Sequence, residues 1–236
     1  VLLLSDVLNK ALGYVAIQDT VALDALVVNY HKEKMLAAPN LVTSEDDEKL
    51  ATNVAPREFA IVFFGTGVYQ QHAEELKLLA IDGMTPSAET VASGEYPLSR
   101  PLYVYTAREI LQAKPQVAAF LAYYLQNVGN SIGSTGYFPL TPEDQEIALI
   151  ALAASQGVEL ANLEVPAAVE GDVTTVGSST VAPITQVMAD EFMATGAIQG
   201  AIAVDSIGTD AGIREFCSSG GADILNASRP LFAQDV

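Results

Sequence analysis

From residue 172 onward the chain alternates between strand and helix patterns, and this run constrains the fold more than any other feature. "DVTTVG" reads as a strand and passes through "SSTVAPITQVMADEF", in which Val181, Ile184, Val187, Met188 and Phe192 lie on one helical stripe. "AIAVDS" (residues 201–206) is a second strand, leading through "IGTDAG" into a short helix "IREFCSS". "ADILNAS" (residues 222–228) is a third strand, ending at Arg229-Pro230. A β-α-β-α-β order implies parallel strands joined by right-handed crossovers, hence an α/β fold. In an open parallel sheet the strands end on one common edge, where ligands bind.

Each of these strands ends in a polar loop: Gly-Ser-Ser-Thr, Gly-Thr-Asp-Ala-Gly and Asn-Ala-Ser-Arg. The first two loops also start helices, whose free N–H groups and positive dipole end favour an anion. Ser179, Thr180, Thr209 and Ser228 add hydroxyl donors, and Arg229 adds a planar fork suited to an oxyanion. One such loop alone reads as an ordinary helix cap. Three on one sheet edge point to a site. The chain has neither Gly-x-x-x-x-Gly-Lys-Ser/Thr nor Gly-x-Gly-x-x-Gly, so a small oxyanion is expected rather than a nucleotide.

Charge narrows the partners further. With 29 acidic against 11 basic residues the net charge is -18, which argues against a nucleic-acid backbone or an anionic membrane surface. The longest apolar run, "IALIALAA", is too short to cross a bilayer, and a single Cys217 excludes an intramolecular disulfide and a CxxC metal site. Four consecutive acids at residues 45–48 read as a solvated helix start and not as a metal site. No metal or cofactor is expected. Only His31 and His72 are available as bases and there is no Gly-x-Ser-x-Gly elbow, so a hydrolase is disfavoured and no enzymatic activity is expected. A start at Val-Leu-Leu-Leu without Met reads as a mature or trimmed product.

The first two thirds are less regular. Residues 12–30, rich in β-branched side chains, read as one or two buried strands. "EFAIVFFGTGVY" (residues 58–69) reads as a buried strand ending in a Gly turn, and "LKLLAID" (residues 76–82) and "PLYVYT" (residues 101–106) as further strands. A short acidic helix is expected over residues 43–55, with Ser44 three residues before Asp47 in a capping-box-like start. Residues 114–128 place Val117, Phe120, Leu121, Tyr124 and Leu125 at helical spacing, and residues 142–155 form a second helix with an acidic first turn. Residues 156–172 read as a linker or loose connection.

"VGSSTVAPIT", "GTDAGIREFC" and "DILNASRPL" resemble the first segment of the phosphate-binding proteins of phosphate ABC transporters, which have the type 2 periplasmic-binding-protein fold. "TSEDDEKLATNV", "FAIVFFGTGVY", "LLAIDGMTPSAETVASGEYPLSRPLYVYT" and "GYFPL" resemble that family's closing segment, in order, and "VAIQDTVALDALVV" its strand pair after "NASRPL". The order is therefore rotated, and the chain reads as a circular permutant, with residues 156–172 bridging the family's usual ends. A fragment spanning two tandem copies is the alternative. Permutation is tolerated where ends meet at exposed loops, so Val1 and Val236 are expected to lie close together.

The resemblance implies two lobes, a large one from residues 83–236 with 1–20 and a small one from residues 24–80, joined by crossing strands near 22–28 and 76–82. It departs from the family between "HKEK" and "TSEDDE", where "MLAAPNLV" replaces a long stretch carrying a Gly-Thr-x-Ser-Gly-Thr type loop. That loop supplies the opposite jaw of the phosphate site, so a shortened second lobe and weaker capture are expected. By position, Thr180 and the backbone of Val181 match the first-loop phosphate contacts, with Ser179 beside them, and Thr209 matches the second-loop hydroxyl. Ser228 falls where some members carry a carboxylate that accepts the phosphate proton, Arg229 follows it, and Asp210 is the nearest candidate for that acceptor, or a turn residue. The implied function is extracytoplasmic capture of inorganic phosphate for an ABC transporter permease. The competing reading is a structural module of an extracellular assembly.

Overall fold

The structure is a computed structural model that describes residues 33–34, 37–44, 46–232 and 235. The chain divides into two compact units, Val1–Thr43 and Ser44–Val236. In the first, the described residues form short turns in which the Ala37 N–H donates to the Glu33 carbonyl at 3.0 Å and the Leu41 N–H to the Ala38 carbonyl at 3.2 Å. The strand pair expected over residues 12–30, the crossing strand at 22–28 and the approach of Val1 to Val236 all lie outside the described residues.

The second unit opens with helices α1 (Asp47–Val54), α2 (Thr66–Gln71) and α3 (Ala88–Ala92), then strand β1 (Tyr103–Tyr105). Helices α4 (Arg108–Ala113), α5 (Pro115–Ser131) and α6 (Pro142–Gln156) follow. The last third is β2 (Val169–Glu170), β3 (Val173–Gly177), α7 (Ala182–Ala194), β4 (Ile198–Gln199), β5 (Ile202–Ser206), α8 (Thr209–Arg214) and β6 (Ile224–Ala227). One four-stranded sheet has the order β1-β6-β3-β5, and β2 pairs with β4 in a second, two-stranded one. β3 is parallel to both β5 and β6, as the alternating pattern predicts, with Thr175 opposite Val204 and Ile224. β1 runs antiparallel to β6, Tyr103 opposite Ala227.

The helix expected over 114–128 is α5, started by Pro115 in its first turn. It buries Val117, Phe120, Leu121, Tyr124 and Val128 on one stripe, while Leu125 is half-buried at the edge of the core. That stripe meets α7, where Val181, Ile184, Met188 and Phe192 are buried and Val187 sits at the margin. The Phe120 and Phe192 rings lie 5.9 Å apart, and Tyr124 meets Phe120 edge-on. Full burial of each aromatic contributes about 1.5–3 kcal/mol. α6 is capped at its start by Thr141, whose hydroxyl accepts from the Asp144 N–H, and at its end by Gly157 in the left-handed conformation.

Several expectations are corrected. Residues 58–65 form no ladder among the described residues, and Phe59, Ile61 and Phe63 are 92%, 71% and 71% exposed. Residues 76–82 likewise form no strand beyond an isolated bridge between Ile81 and Met84. Alternation and β-branching mark a segment as suited to a sheet, but a strand exists only when a neighbour completes its hydrogen bonds. The α1 N-cap is Asp46, whose carboxylate accepts from the Lys49 N–H, while Ser44 instead accepts from the Asp46 N–H. The connection over 156–172 is anchored, not loose: Leu163 and Val169 are buried and β2 pairs with β4. α8 starts at Thr209, within the stretch read as a loop, and continues through a wider turn over Glu215–Ser219.

Candidate functional site

The end of β3 is held against its neighbours by main-chain contacts. Gly177 has φ of +134°, and its carbonyl accepts from the N–H groups of Ile207 and Gly208 at 3.0 and 2.9 Å. The Ser178 N–H then donates to the Asn226 carbonyl at 2.9 Å. All three loops are therefore tied together at the carboxyl edge of the sheet. Beneath them lies a buried polar network: the Thr185 hydroxyl donates to Asn226 Oδ1 at 3.0 Å, and Asn226 Nδ2 donates to the Thr175 hydroxyl at 3.3 Å. Because its side-chain amide is satisfied there, Asn226 is a positioning residue for the strand end.

The first loop is turned by Ser178, a residue the sequence pattern passes over. Its hydroxyl accepts from the Thr180 N–H at 3.2 Å, and its carbonyl accepts from the N–H groups of Val181 and Ala182 at 3.2 and 2.9 Å. The Val181 N–H, matched above to a ligand contact, thus already has a partner, and its side chain is buried. Ser179 and Thr180 are half-buried at the surface of this turn.

A cleft of about 360 Å³ is lined by Arg100, Thr209, Asp210, Ser228 and Arg229. Thr209 and Ser228 hydroxyls lie 3.3 Å apart, and the Ser228 N–H donates to the Thr209 hydroxyl at 3.3 Å. Ser178, Ser179, Thr180 and Val181 line an adjoining groove, which shares Arg100 and Ser228 with the cleft. The five expected side chains therefore do not surround one point. Arg229 is also engaged: its guanidinium donates to both oxygens of Asp235 at 2.7 and 3.2 Å and to Asp210 at 2.8 Å. Those two carboxylates hold the Arg229 proton more tightly than in free arginine, and Arg229 in turn keeps the Asp235 carboxyl below its ordinary range.

Three residues of this region were not singled out by sequence. Arg100 is exposed, with no ion pair among the described residues. Asp47, in the first turn of α1, accepts from the Gly65 N–H at 3.3 Å. Burial pushes its carboxyl up, while the Gly65 N–H, the charge of Arg100 and the Ser179 hydroxyl pull it down. The Tyr137 hydroxyl is buried without a hydrogen-bond partner among the described residues, and burial first, then the charge of Asp47, pushes it up to about 12. Gly65 is packed so closely that a Cβ there would come 2.5 Å from the Tyr137 oxygen and 3.0 Å from Thr180 Cγ2. Asp47 was passed over because it sits in an acidic run, and Arg100 because it lies far from the three loops in sequence.

The chain is similar to several known proteins. Protein SphX of Synechocystis is 36% identical over 105 residues, covering 42% of this chain and 31% of that protein. The phosphate-binding protein PstS of Staphylococcus saprophyticus is 31% identical over 104 residues, covering 42% and 33%. The alignments thus span about a third of the length of these curated relatives. A phosphate-binding protein of a phosphate ABC transporter from Streptococcus pneumoniae superposes with a TM-score of 0.54 at 23% identity, over 84% of this chain and 68% of that one, which establishes likeness of fold. The family model of the PBP superfamily domain matches residues 6–128, slightly over half of the sequence, and the chain belongs to that superfamily.

Proposed function

We propose that the chain is a solute-binding protein that captures inorganic phosphate at the carboxyl edge of its main sheet for an ABC transporter, outside the cytoplasm. The observation that carries this reading is the cleft itself, where the Thr209 and Ser228 hydroxyls meet two guanidinium groups, Arg100 and Arg229. Hydroxyl donors beside planar cations suit a tetrahedral oxyanion. The names of the curated relatives supply the choice of phosphate. The role is capture and release of the anion, not its conversion.

The segment order is that of a circular permutant in this reading. Its support is the pairing of β1, from the part resembling the family's close, with β6, from the part resembling its opening. Tandem neighbours have no need to share one sheet.

Calorimetric titration with phosphate tests the function. Saturable binding is expected, and no saturable heat at about millimolar phosphate would exclude an uptake role, since that corresponds to only about 4 kcal/mol of binding. The second reading, a structural module of an extracellular assembly, would then stand. The exposed Phe59, Ile61 and Phe63 favour it, because apolar patches of this kind serve as contact surfaces.

A further inference from the structure

Two segments of the second unit carry strand-like sequence and leave their backbone open. Among the described residues the N–H groups of Ile61, Val62, Phe63 and Phe64 make no hydrogen bond, and neither do those of Lys77, Leu78, Leu79 and Ala80. Phe59, Ile61 and Phe63 alternate along the first segment, are exposed, and line one groove with Leu79 and Leu98. Open ladder groups beside alternating apolar side chains form a template for another strand. We propose that this segment is a dimerisation strand: two copies of the chain pair antiparallel through residues 59–63, about a two-fold axis at Ile61. The inference is independent of the reading of the cleft as an anion site.

The segment's own symmetry sets the register. In an antiparallel pair, opposed residues point to the same face, and with the axis at Ile61 each Phe59 meets Phe63 of the other copy while the two Ile61 side chains meet each other. Aromatic and β-branched pairs of this kind stabilise a ladder, and a slip of one residue would turn all three side chains to the opposite face. α1 ends at Val54 and α2 starts at Thr66, so the intervening chain has room for a ladder of ordinary strand length. A two-fold contact uses the same patch on both copies, so assembly stops at two.

Charge selects a second copy over a charged partner. The chain carries a net charge of -18, yet residues 59–71 hold no charged side chain. A basic partner finds no carboxylate along that strip. In the two-fold register Glu58 lies opposite Phe64 and Arg57 opposite Gly65, so no like charges face each other.

The area is sufficient for a specific contact. Leu79 and Leu98 are 48% and 50% exposed in the same groove. With an aromatic side chain offering roughly 150–250 Å², these five residues present about 600 Å² per copy, or about 1,200 Å² across a pair. That reaches the lower bound of about 1,200 Å² for a stable interface. A two-stranded ribbon alone is marginal in water, so burial of this apolar area has to carry the association.

Analytical ultracentrifugation tests the proposal. At about 100 μM protein and about 0.15 M salt, where screening limits repulsion between acidic chains, wild type should sediment at twice 24.8 kDa and dissociate on dilution. Ile61→Lys sets two ammonium groups against each other and should weaken the dimer by about a hundredfold or more, as should Ile61→Glu with two carboxylates. An equimolar mixture of the two variants should restore the dimer, because Lys then faces Glu; misfolded variants would not recombine in this way. Monomeric wild type, dimers that survive both substitutions, a mixture that stays monomeric, or association that does not stop at two would overturn the proposal.

Discussion

Asp235 clamps Arg229 through both guanidinium arms, at 2.7 and 3.2 Å, while the same carboxylate accepts the Phe232 N–H at 2.8 Å. The Arg229 guanidinium also lies 5.3 Å from the Phe232 ring centroid. A residue that reads from sequence as an anion's fork is therefore first a brace for its own loop. Asp235→Asn keeps an acceptor for Phe232 but removes the opposing charge. Phosphate affinity is expected to rise about two- to tenfold and to fall more steeply with added salt. Titration at two ionic strengths checks this, and an unchanged affinity would show that the Arg229 charge does not reach the ligand.

Gly177 carries a second prediction. Its φ of +134° is a region that L side chains rarely adopt, and a Cβ there would overlap the Asn226 carbonyl oxygen. Gly212 on α8 presses from another side, where an added Cβ would lie 2.6 Å from the Gly177 Cα. Gly177→Ala should destabilise the fold by about 3 kcal/mol or more, read from the urea midpoint. A loss under about 1 kcal/mol would mean that β3 and β6 can separate freely at this edge.

The buried network around Asn226 gives a third. Asn226→Ala leaves the hydroxyls of Thr185 and Thr175 with lost partners in a site closed to water. A cost of about 2–4 kcal/mol in thermal or denaturant unfolding is expected. Thr175→Val, which removes only one weaker partner at 3.3 Å, should cost less.

The fourth concerns pH. His72 Nε2 lies 2.7 Å from Glu48 and Nδ1 lies 3.6 Å from Glu75, joining the end of α2 to α1. The hydrogen bond with Glu48 is the first cause that raises its pKa above the ordinary value of 6.5. A histidine raised in the folded state contributes stability that is fully present below 6.5 and is lost as pH rises through the folded value. The difference in melting temperature between wild type and His72→Gln should therefore shrink between about pH 6 and about pH 8. A difference that grows with pH would reverse the assignment.

Much of this protein is legible in sequence where local pattern and packing agree. Val181, Ile184, Met188 and Phe192 repeat at helical spacing, and the helix they specify buries that stripe. Parallel β3, β5 and β6 follow from strands separated by helices, because the connections leave no other short path. Phe59, Ile61 and Phe63 repeat at strand spacing just as plainly, yet a ladder needs a partner that is remote in sequence, and spacing cannot name one.

The site divides in the same way. Thr209 and Ser228 are visible as donors on loops, and the parallel sheet brings them within 3.3 Å. Arg229 was conspicuous, but which carboxylate claims it depends on Asp235 folding back onto it. Arg100 lines the cleft and the adjoining groove, and Asp47 the groove, from segments 53 residues apart in the chain, so only the packing of those segments brings them to one side of the β3 loop. Short-range spacing determines which face of a helix is apolar and which loop ends a strand. Charge pairing acts through space, so the tertiary structure alone decided that Arg229 is held by Asp235 and Asp210 and that burial pushes the Asp47 carboxyl up.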